Sequence, residues 1–449
     1  MTPKQNKMTW LDWVQNILII SAVVIFTLNY TIVGVVKGGW FSPLKNLVMI
    51  GIFMLFVYRF FTVSKAERKQ WFTQKFLRVP SFVWLLAYFI VRCSCFAVNG
   101  FQYGIAREIF FEFVFLVAIC PWTVGPQVRF DIIAWVFCGI NLVMNLANTY
   151  ACHVLKVFYE ETGGSPVDGG LLGFLTHLKT YSLYGPEVNV APMYSNPNSA
   201  GIMTGIAILM SFILVRKNKG LIILGIYWIY SIYELYAFES RGALVSFIGA
   251  FIGVGLSLLL KKLSLKKIIL GCFLICVILT IGMYGFIEYN HSDKDNRFLD
   301  VENQINRIST QRYGIWQTCY SAHDNARLLG EGSPTLEKRV RNQYLKEEFV
   351  KTFNQTAGFI PTTLSIHNGY FASIFITGWM GFFLFLIIMI DKIRSYESSD
   401  SIQVRDYGMA GIIIFSFLIS NFEALLITSR YYTILLVFLI LAQKRKELK

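Results

Sequence analysis

Apolar runs close to the roughly 20 residues that cross a bilayer core recur along this chain, and short basic clusters separate every second pair of them. The clusters are Lys65 to Arg78, Arg216 to Lys219, Lys261 to Lys267 and Lys444 to Lys449. This is the positive-inside pattern, in which loop charges near span ends set orientation. The pattern predicts helices at about 14–36, 44–63, 79–99, 104–121, 129–153, 198–215, 220–239, 242–260, 267–287, 367–390, 407–425 and 428–443. An even number of spans with both termini cytoplasmic puts all four basic clusters on one side. The loops 154–197 and 288–365 then lie outside.

Composition agrees. Hydrophobic side chains make up 55% of the 449 residues and charged ones only 15%, against about a quarter in soluble domains. The mean hydropathy is +0.52. The reading is therefore an all-α polytopic membrane protein, one domain over 1–449, with about twelve transmembrane helices. A large external helical loop, 288–365, joins helices 9 and 10. The net charge of +14 follows from the one-sided loops, while acidic and basic residues balance across 288–365. The excess is topology, and nucleic acid is not expected as a partner. Eight cysteines sit mostly in apolar runs, with no spacing for a zinc site or disulfide framework. Lys4 and Lys7 precede the first apolar run without a small-residue cleavage site, which reads as a retained first helix.

The two external loops differ. The stretch 154–197 is rich in Gly and Pro, which force turns, and its middle, LLGFLTHLKTYSL, suits a short helix at the interface. The long loop reads as helical. In VENQINRISTQRYGIWQTCY, Ile305, Ile308, Arg312, Ile315 and Cys319 alternate spacings of three and four and so share a helix face. LLGEGSP is a turn, and a second polar helix is expected over TLEKRVRNQYLKEEFVKTFN.

Arg312 thus stands in an apolar stripe. A guanidinium is always charged and is expensive there without a partner. One reading pairs it with a carboxylate such as Glu302; the other makes it an anion site, since its planar fork suits phosphate oxygens. Arg241, in FESRGALVSF, opens helix 8. Ser240 is placed to cap that helix, Gly242 permits close backbone approach, and a helix N-terminus beside an arginine suits an anion. The bland reading is an interfacial anchor. His367, followed by Asn368, starts helix 10 and is either a proton-transfer group or a capping one. His153, His177, His291 and His323 are scattered and receive no role. Within apolar runs, Arg92 and Glu112 on consecutive helices suit a pair. Glu423, near the outer end of helix 11, suits either orienting an arginine or the histidine, or a structural ion pair.

SNPNSAG entering helix 6, ESRGALVSF opening helix 8, RYGIW in the large loop and HNGYFASIFITGWMG entering helix 10 together resemble the O-antigen ligase and polymerase family of bacterial envelope polysaccharide assembly. The resemblance implies a GT-C-like, metal-independent, inverting glycosyltransferase of the bacterial cytoplasmic (inner) membrane, with its active site outward and no cofactor. Its partners would be a polyprenyl-diphosphate-linked oligosaccharide such as an undecaprenyl diphosphate glycan, membrane lipid and a chain-length regulator. By resemblance, Arg241 and Arg312 hold the diphosphate and His367 orients or deprotonates the acceptor hydroxyl. Glu423, Asn368 and Asn198 support them, and no metal is held.

A polymerase joins repeat units of O-antigen or capsule on the carrier lipid; a ligase moves finished glycan to lipid A-core of lipopolysaccharide. No feature reads a lipopolysaccharide core, so the polymerase is favoured. A polysaccharide flippase would need two related halves and a charged central cavity, whereas here the loop and the best charges lie at one surface. A cell-wall glycan polymerase of the shape, elongation and division group would use an acidic residue in its large loop; here Arg and His are better placed.

Overall fold

The computed structural model describes residues 10–35, 41–62, 64–65, 82–119, 129–154, 159–160, 188–189, 191–215, 220–260, 264–292, 299–309, 312–322, 328–336, 338, 366–394, 396, 403–426 and 432–441. The order is α1 (Trp10–Leu28), α2 (Phe41–Thr62), α3 (Phe82–Val98), α4 (Tyr103–Phe113), α5 (Phe130–Thr149), α6 (Pro197–Ser211) and α7 (Leu221–Ala237). Then follow α8 (Arg241–Leu259), α9 (Leu265–Ser292), α10 (Leu299–Ile308), α11 (Arg312–Ala322), α12 (Gly369–Arg394), α13 (Val404–Ile419) and α14 (Tyr432–Leu441). Helices α4 and α5 each run on into a π-helical turn, Val114–Ile119 and Tyr150–Val154. Among the described residues, extended pairing is confined to a two-residue antiparallel ladder, Tyr159 with Asn189 and Glu160 with Val188, and a single bridge between Thr31 and Tyr194.

A helix occupies each interval read from the hydropathy pattern. Among the described residues, α1, α2, α5, α6, α8, α9 and α12 are long and apolar enough to cross a membrane, seven in all. Helices α3, α7 and α14 are shorter apolar helices. Two boundaries shift with consequence. Helix α1 stops at Leu28, where Asn29 to Thr31 turn and the Ile32 N–H bonds Met193 O at 2.9 Å. Helix α13 stops at Ile419, short of 425, and Ser420 to Leu426 form a turn that carries Glu423. The interfacial helix expected in 154–197 and most of the second polar helix of the long loop lie outside the described residues.

The bundle has a centre and a lipid-type exterior. Every residue of α6 from Ser199 to Ser211 is buried, and α13 and α14 are nearly as enclosed. Helix α8 packs along α13, α12 along α3, and α6 against α5, α7 and α13. Small residues on α6 (Ala200, Gly201, Gly205, Ala207) let its neighbours approach closely, the usual basis of helix packing in lipid. By contrast, Ile222, Ile226, Ile229 and Tyr236 of α7, and Ile275, Ile278 and Leu279 of α9, are exposed. Apolar surface on that scale is a liability in water and suits a hydrocarbon environment.

Helix α12 is broken at Gly378, whose backbone (φ 69°, ψ 173°) only glycine adopts without strain. The turn 328–332 of the long loop docks into the break. Glu331 N–H donates to Phe375 O at 3.1 Å, and Met380 N–H donates to Leu328 O at 3.1 Å. A Cβ on Gly378 would overlap Leu328 O and Gly330 N. Arg92, fully buried on α3, takes a further carbonyl beside the break, with Nη1 to Ile376 O at 3.1 Å. The same guanidinium forks onto Glu112 (Nε to Oε2 2.9 Å, Nη2 to Oε1 3.0 Å) and reaches Glu108 at 3.4 Å. The expected Arg92–Glu112 pair is therefore present, and it fastens the broken helix. Irregular backbone inside a bundle survives only where such partners replace the lost helical bonds.

Candidate active site

Four helix starts meet at one end of the bundle, and the Glu423 carboxylate ties three of them together. The first is α6. Asn196 is extended and its side chain accepts from Ser199 N–H at 2.8 Å, while Pro197 occupies the first turn, where its missing donor does no harm. This Asn-Pro-Asn start sends Asn198 forward, and its Nδ2 donates to Glu423 Oε1 at 2.8 Å. Asn198 Oδ1 accepts from the Ser240 hydroxyl at 3.0 Å. Ser240 is the N-cap residue of α8, yet its side chain makes no capping bond there. The expected cap is corrected: that hydroxyl is spent on Asn198.

The second start is α11. The stripe expected to run unbroken from Ile305 to Cys319 is interrupted. Helix α10 ends at Ile308, and Ser309 Oγ accepts from Tyr313 N–H at 3.1 Å to begin α11. Arg312 is the first residue of α11 and its Nη2 pairs with Glu423 Oε1 at 3.2 Å. Glu302, the carboxylate considered for it in the sequence, is occupied by others. Glu302 Oε1 accepts from Tyr313 OH at 2.6 Å, Gln317 Nε2 at 2.7 Å and Asn290 Nδ2 at 3.1 Å. Burial, and then the Glu302 carboxylate it donates to, hold the Tyr313 phenol above its usual range, so it stays a donor. Trp316 Nε1 donates to Ile366 O at 2.8 Å, and its ring stacks on Phe371 at 5.1 Å. The short motif RYGIW thus places an arginine on Glu423 and pins the residue that precedes His367.

The third start is α12. Asn368 Oδ1 accepts from Tyr370 N–H and Phe371 N–H, both at 2.9 Å, and its Nδ2 donates to Asn421 O at 3.2 Å. Gly369 N–H donates to Ser420 O at 2.6 Å. These bonds dock the helix start onto the 420–426 turn. His367 is held at φ 48°, a left-handed conformation rare for a side chain larger than glycine. Its Nδ1 then lies 3.1 Å from Glu423 Oε2 and 3.2 Å from Oε1. A carboxylate only accepts, so Nδ1 carries the proton and Nε2 holds the lone pair of the neutral ring.

Arg241 begins α8 and is exposed. Its guanidinium does not join the Glu423 cluster directly. It is linked through its neighbour Ser240, then Asn198, then Glu423. Gly242 keeps this joint tight, because a Cβ there would come 2.9 Å from Cβ of Phe422. The close approach expected at Gly242 is therefore onto the residue next to Glu423.

Beside the cluster is a cavity of about 170 Å³, lined by Tyr30, Asn196, Asn198, Ser199, Ile202, His367, Glu423, Leu425, Tyr432 and Thr433. No signal in the sequence marked Tyr30, in the turn after α1, or Tyr432 and Thr433, at the start of α14. Among the described residues, no three His, Cys, Asp or Glu side chains gather as metal ligands.

With this geometry in hand, the comparison with known families is specific. Residues 226–386 match the family described as O-antigen ligase. The match covers 161 of the 449 residues, a little over a third of the chain. The matched span runs from α7 into α12 and includes Arg241, Arg312 and His367, while Asn198 and Glu423 lie outside it. No curated protein matches the chain. The family match supports activity of the O-antigen ligase and polymerase type at a membrane, on lipid-linked oligosaccharide.

Proposed function

We propose that this chain is a polysaccharide polymerase with about twelve spans, working at the outer face of the bacterial cytoplasmic membrane with both termini inside. It moves a glycan from a polyprenyl diphosphate to a sugar hydroxyl of an acceptor repeat unit. The observation that carries this reading is the shared carboxylate. Glu423 holds Arg312 and His367 Nδ1 in one cluster, at a rim that also carries Arg241. Nε2 of His367 takes the proton from the acceptor hydroxyl as its oxygen attacks the anomeric carbon. The bond from that carbon to the diphosphate breaks, with inversion. Arg241 and Arg312 meet the charge that develops on the departing diphosphate, a preorganised electrostatic role. The pairing with Glu423 uses Nη2 of Arg312, and a guanidinium carries five N–H donors. The two arginines supply the positive charge that a metal ion would otherwise bring.

A deletion strain complemented with variants tests the proposal. His367→Ala, Arg312→Ala and Arg241→Ala should each leave surface glycan at a single repeat, at unchanged protein level in membranes. Arg312→Lys should also be poor, since one ammonium cannot make the bidentate contact. A wild-type glycan ladder from His367→Ala would remove the histidine from the mechanism. The family description favours a second reading, a ligase; the same gel separates it, because loss of a ligase leaves no glycan attached to lipid A-core at all.

A further inference from the structure

The cavity beside His367 has a chemistry different from that of the arginines. Neither Arg241 nor Arg312 lines it. Its polar lining is the neutral amides and hydroxyls of Asn196, Asn198, Ser199 and Thr433, with His367 and the Glu423 carboxylate. Two aromatic rings wall it, Tyr30 and Tyr432, which meet edge to face at 5.6 Å. A phosphate would find a carboxylate there and no guanidinium. A sugar would find acceptors and donors for its hydroxyls and flat apolar surface for its C–H face.

Two buried hydroxyls make no hydrogen bond within the described fold. Tyr432 and Thr433 are 2% and 1% exposed, and both of their hydroxyls lack a hydrogen-bond partner among the described residues. Buried hydroxyls in native proteins are nearly always satisfied, because leaving one unpaired is unfavourable. These two stand side by side on residues that line the cavity, and they fit a site whose partner arrives with a ligand.

We infer that this cavity is the subsite for the sugar ring that bears the attacking hydroxyl; the inference rests on the reading of His367 as the base. A base must lie within hydrogen-bond reach of the proton it takes, and His367 forms one wall. The donor's diphosphate belongs with the arginines outside. At about 170 Å³ the cavity is smaller than the roughly 300–1,000 Å³ of pockets for drug-sized ligands, a size that suits a single sugar ring. The site therefore reads the terminal acceptor sugar and leaves the following residues of the repeat outside.

The test uses the full-length protein in detergent, with Thr433→Val and Tyr432→Phe, which delete only the two unpaired hydroxyls. The probes are a panel of methyl hexopyranosides and methyl N-acetylhexosaminides, read by saturation-transfer NMR, with inorganic diphosphate as the control. Both variants should keep the wild-type melting temperature, since the hydroxyls bond nothing in the fold. At least one glycoside should bind the wild type and bind each variant about two- to ten-fold more weakly, with diphosphate binding unchanged. The subsite is overturned if no glycoside binds the wild type, if both folded variants bind it equally well, or if diphosphate binding falls instead. Binding is read without turnover, so it is judged apart from the catalytic proposal. Glycoside binding here together with an intact glycan ladder in His367→Ala would discard the base and keep the sugar site.

Discussion

Replacing Glu423 by glutamine changes almost no volume and should nevertheless abolish most activity. Asn198 Nδ2 and Arg312 Nη2 both donate to Oε1, at 2.8 and 3.2 Å. In Glu423→Gln the amide oxygen must take that position, because an NH₂ group there would face two donors. The amide nitrogen then occupies the place of Oε2, 3.1 Å from His367 Nδ1 in the native protein. Two N–H groups cannot face each other, and the acceptor left to Nδ1–H, the oxygen at the Oε1 position 3.2 Å away, already takes Asn198 and Arg312, so the imidazole exchanges tautomers. Nδ1 becomes the acceptor and Nε2 acquires the hydrogen, and a protonated Nε2 cannot take another from a hydroxyl. A positioned general base is worth about 10²- to 10⁴-fold, which is about 2.7 to 5.4 kcal/mol on the barrier at 1.36 kcal/mol per tenfold. The assay is the initial rate of polymer formation by purified protein, fed lipid-linked repeat unit extracted from a deletion strain, with melting temperature measured alongside. The rate should fall by that factor at a nearly unchanged melting temperature. A rate within threefold of wild type would refute the tautomer argument and reduce Glu423 to a structural anchor.

Two further substitutions probe the framework. Arg92→Met strands the Glu112 and Glu108 carboxylates in a buried setting and should lower stability by about 3–5 kcal/mol, seen as a lower melting temperature that Glu112→Leu partly restores; no shift would mean that the pair contributes nothing. Gly378→Ala forces a side chain into a left-handed conformation against Leu328 and Gly330, a strain of about 1–3 kcal/mol. It should undock the 328–332 turn and raise protease cleavage there, and a wild-type digestion pattern would count against that latch.

The architecture was legible because lipid imposes a simple grammar. A run of apolar residues long enough to span must be helical, and the helices lie where the runs do. What hydropathy cannot register is a helix end that exists for its side chains. The run through 407–425 reads as one helix, yet α13 stops at Ile419, because Gly369 N–H and the Asn368 amide claim Ser420 O and Asn421 O. Glu423 therefore sits in a turn facing three other elements, which no local pattern conveys. The Ile305 to Cys319 stripe failed for a similar reason. Its three-and-four spacing is real on both sides, but Ser309 closes one helix and opens the next. Arg312 thereby moves from the middle of a helix face to a helix start. Its partner, 111 residues away, was not to be found by looking for a nearby carboxylate. Arg92 with Glu112 was readable, since two opposite charges in consecutive apolar helices leave few alternatives. Tyr432 and Thr433 were unreadable, because nothing distinguishes a hydroxyl that waits for a ligand from one that faces a neighbour.

The caps give a physical reason why the anion and the sugar divide the site as proposed. The helices α6, α8, α11 and α12 all begin at this rim, so each directs the positive end of its dipole and its first unpaired N–H groups toward it. At α6, α11 and α12 one or two of those amides are taken up by a capping side chain, Asn196, Ser309 and Asn368 respectively. At α8 the residue in the capping position turns its hydroxyl to Asn198 instead. The helix start whose own cap leaves its amides alone is thus the one that carries Arg241. On the proposed reading, a diphosphate drawn to Arg241 meets backbone donors as well as a guanidinium, a combination suited to anions. The cavity walled by α6, the 420–426 turn and α14 offers neither, and so is left to the uncharged partner. Ser240 stands between the two halves, since the bond that leaves α8 uncapped is the same one that steadies Asn198 against Glu423.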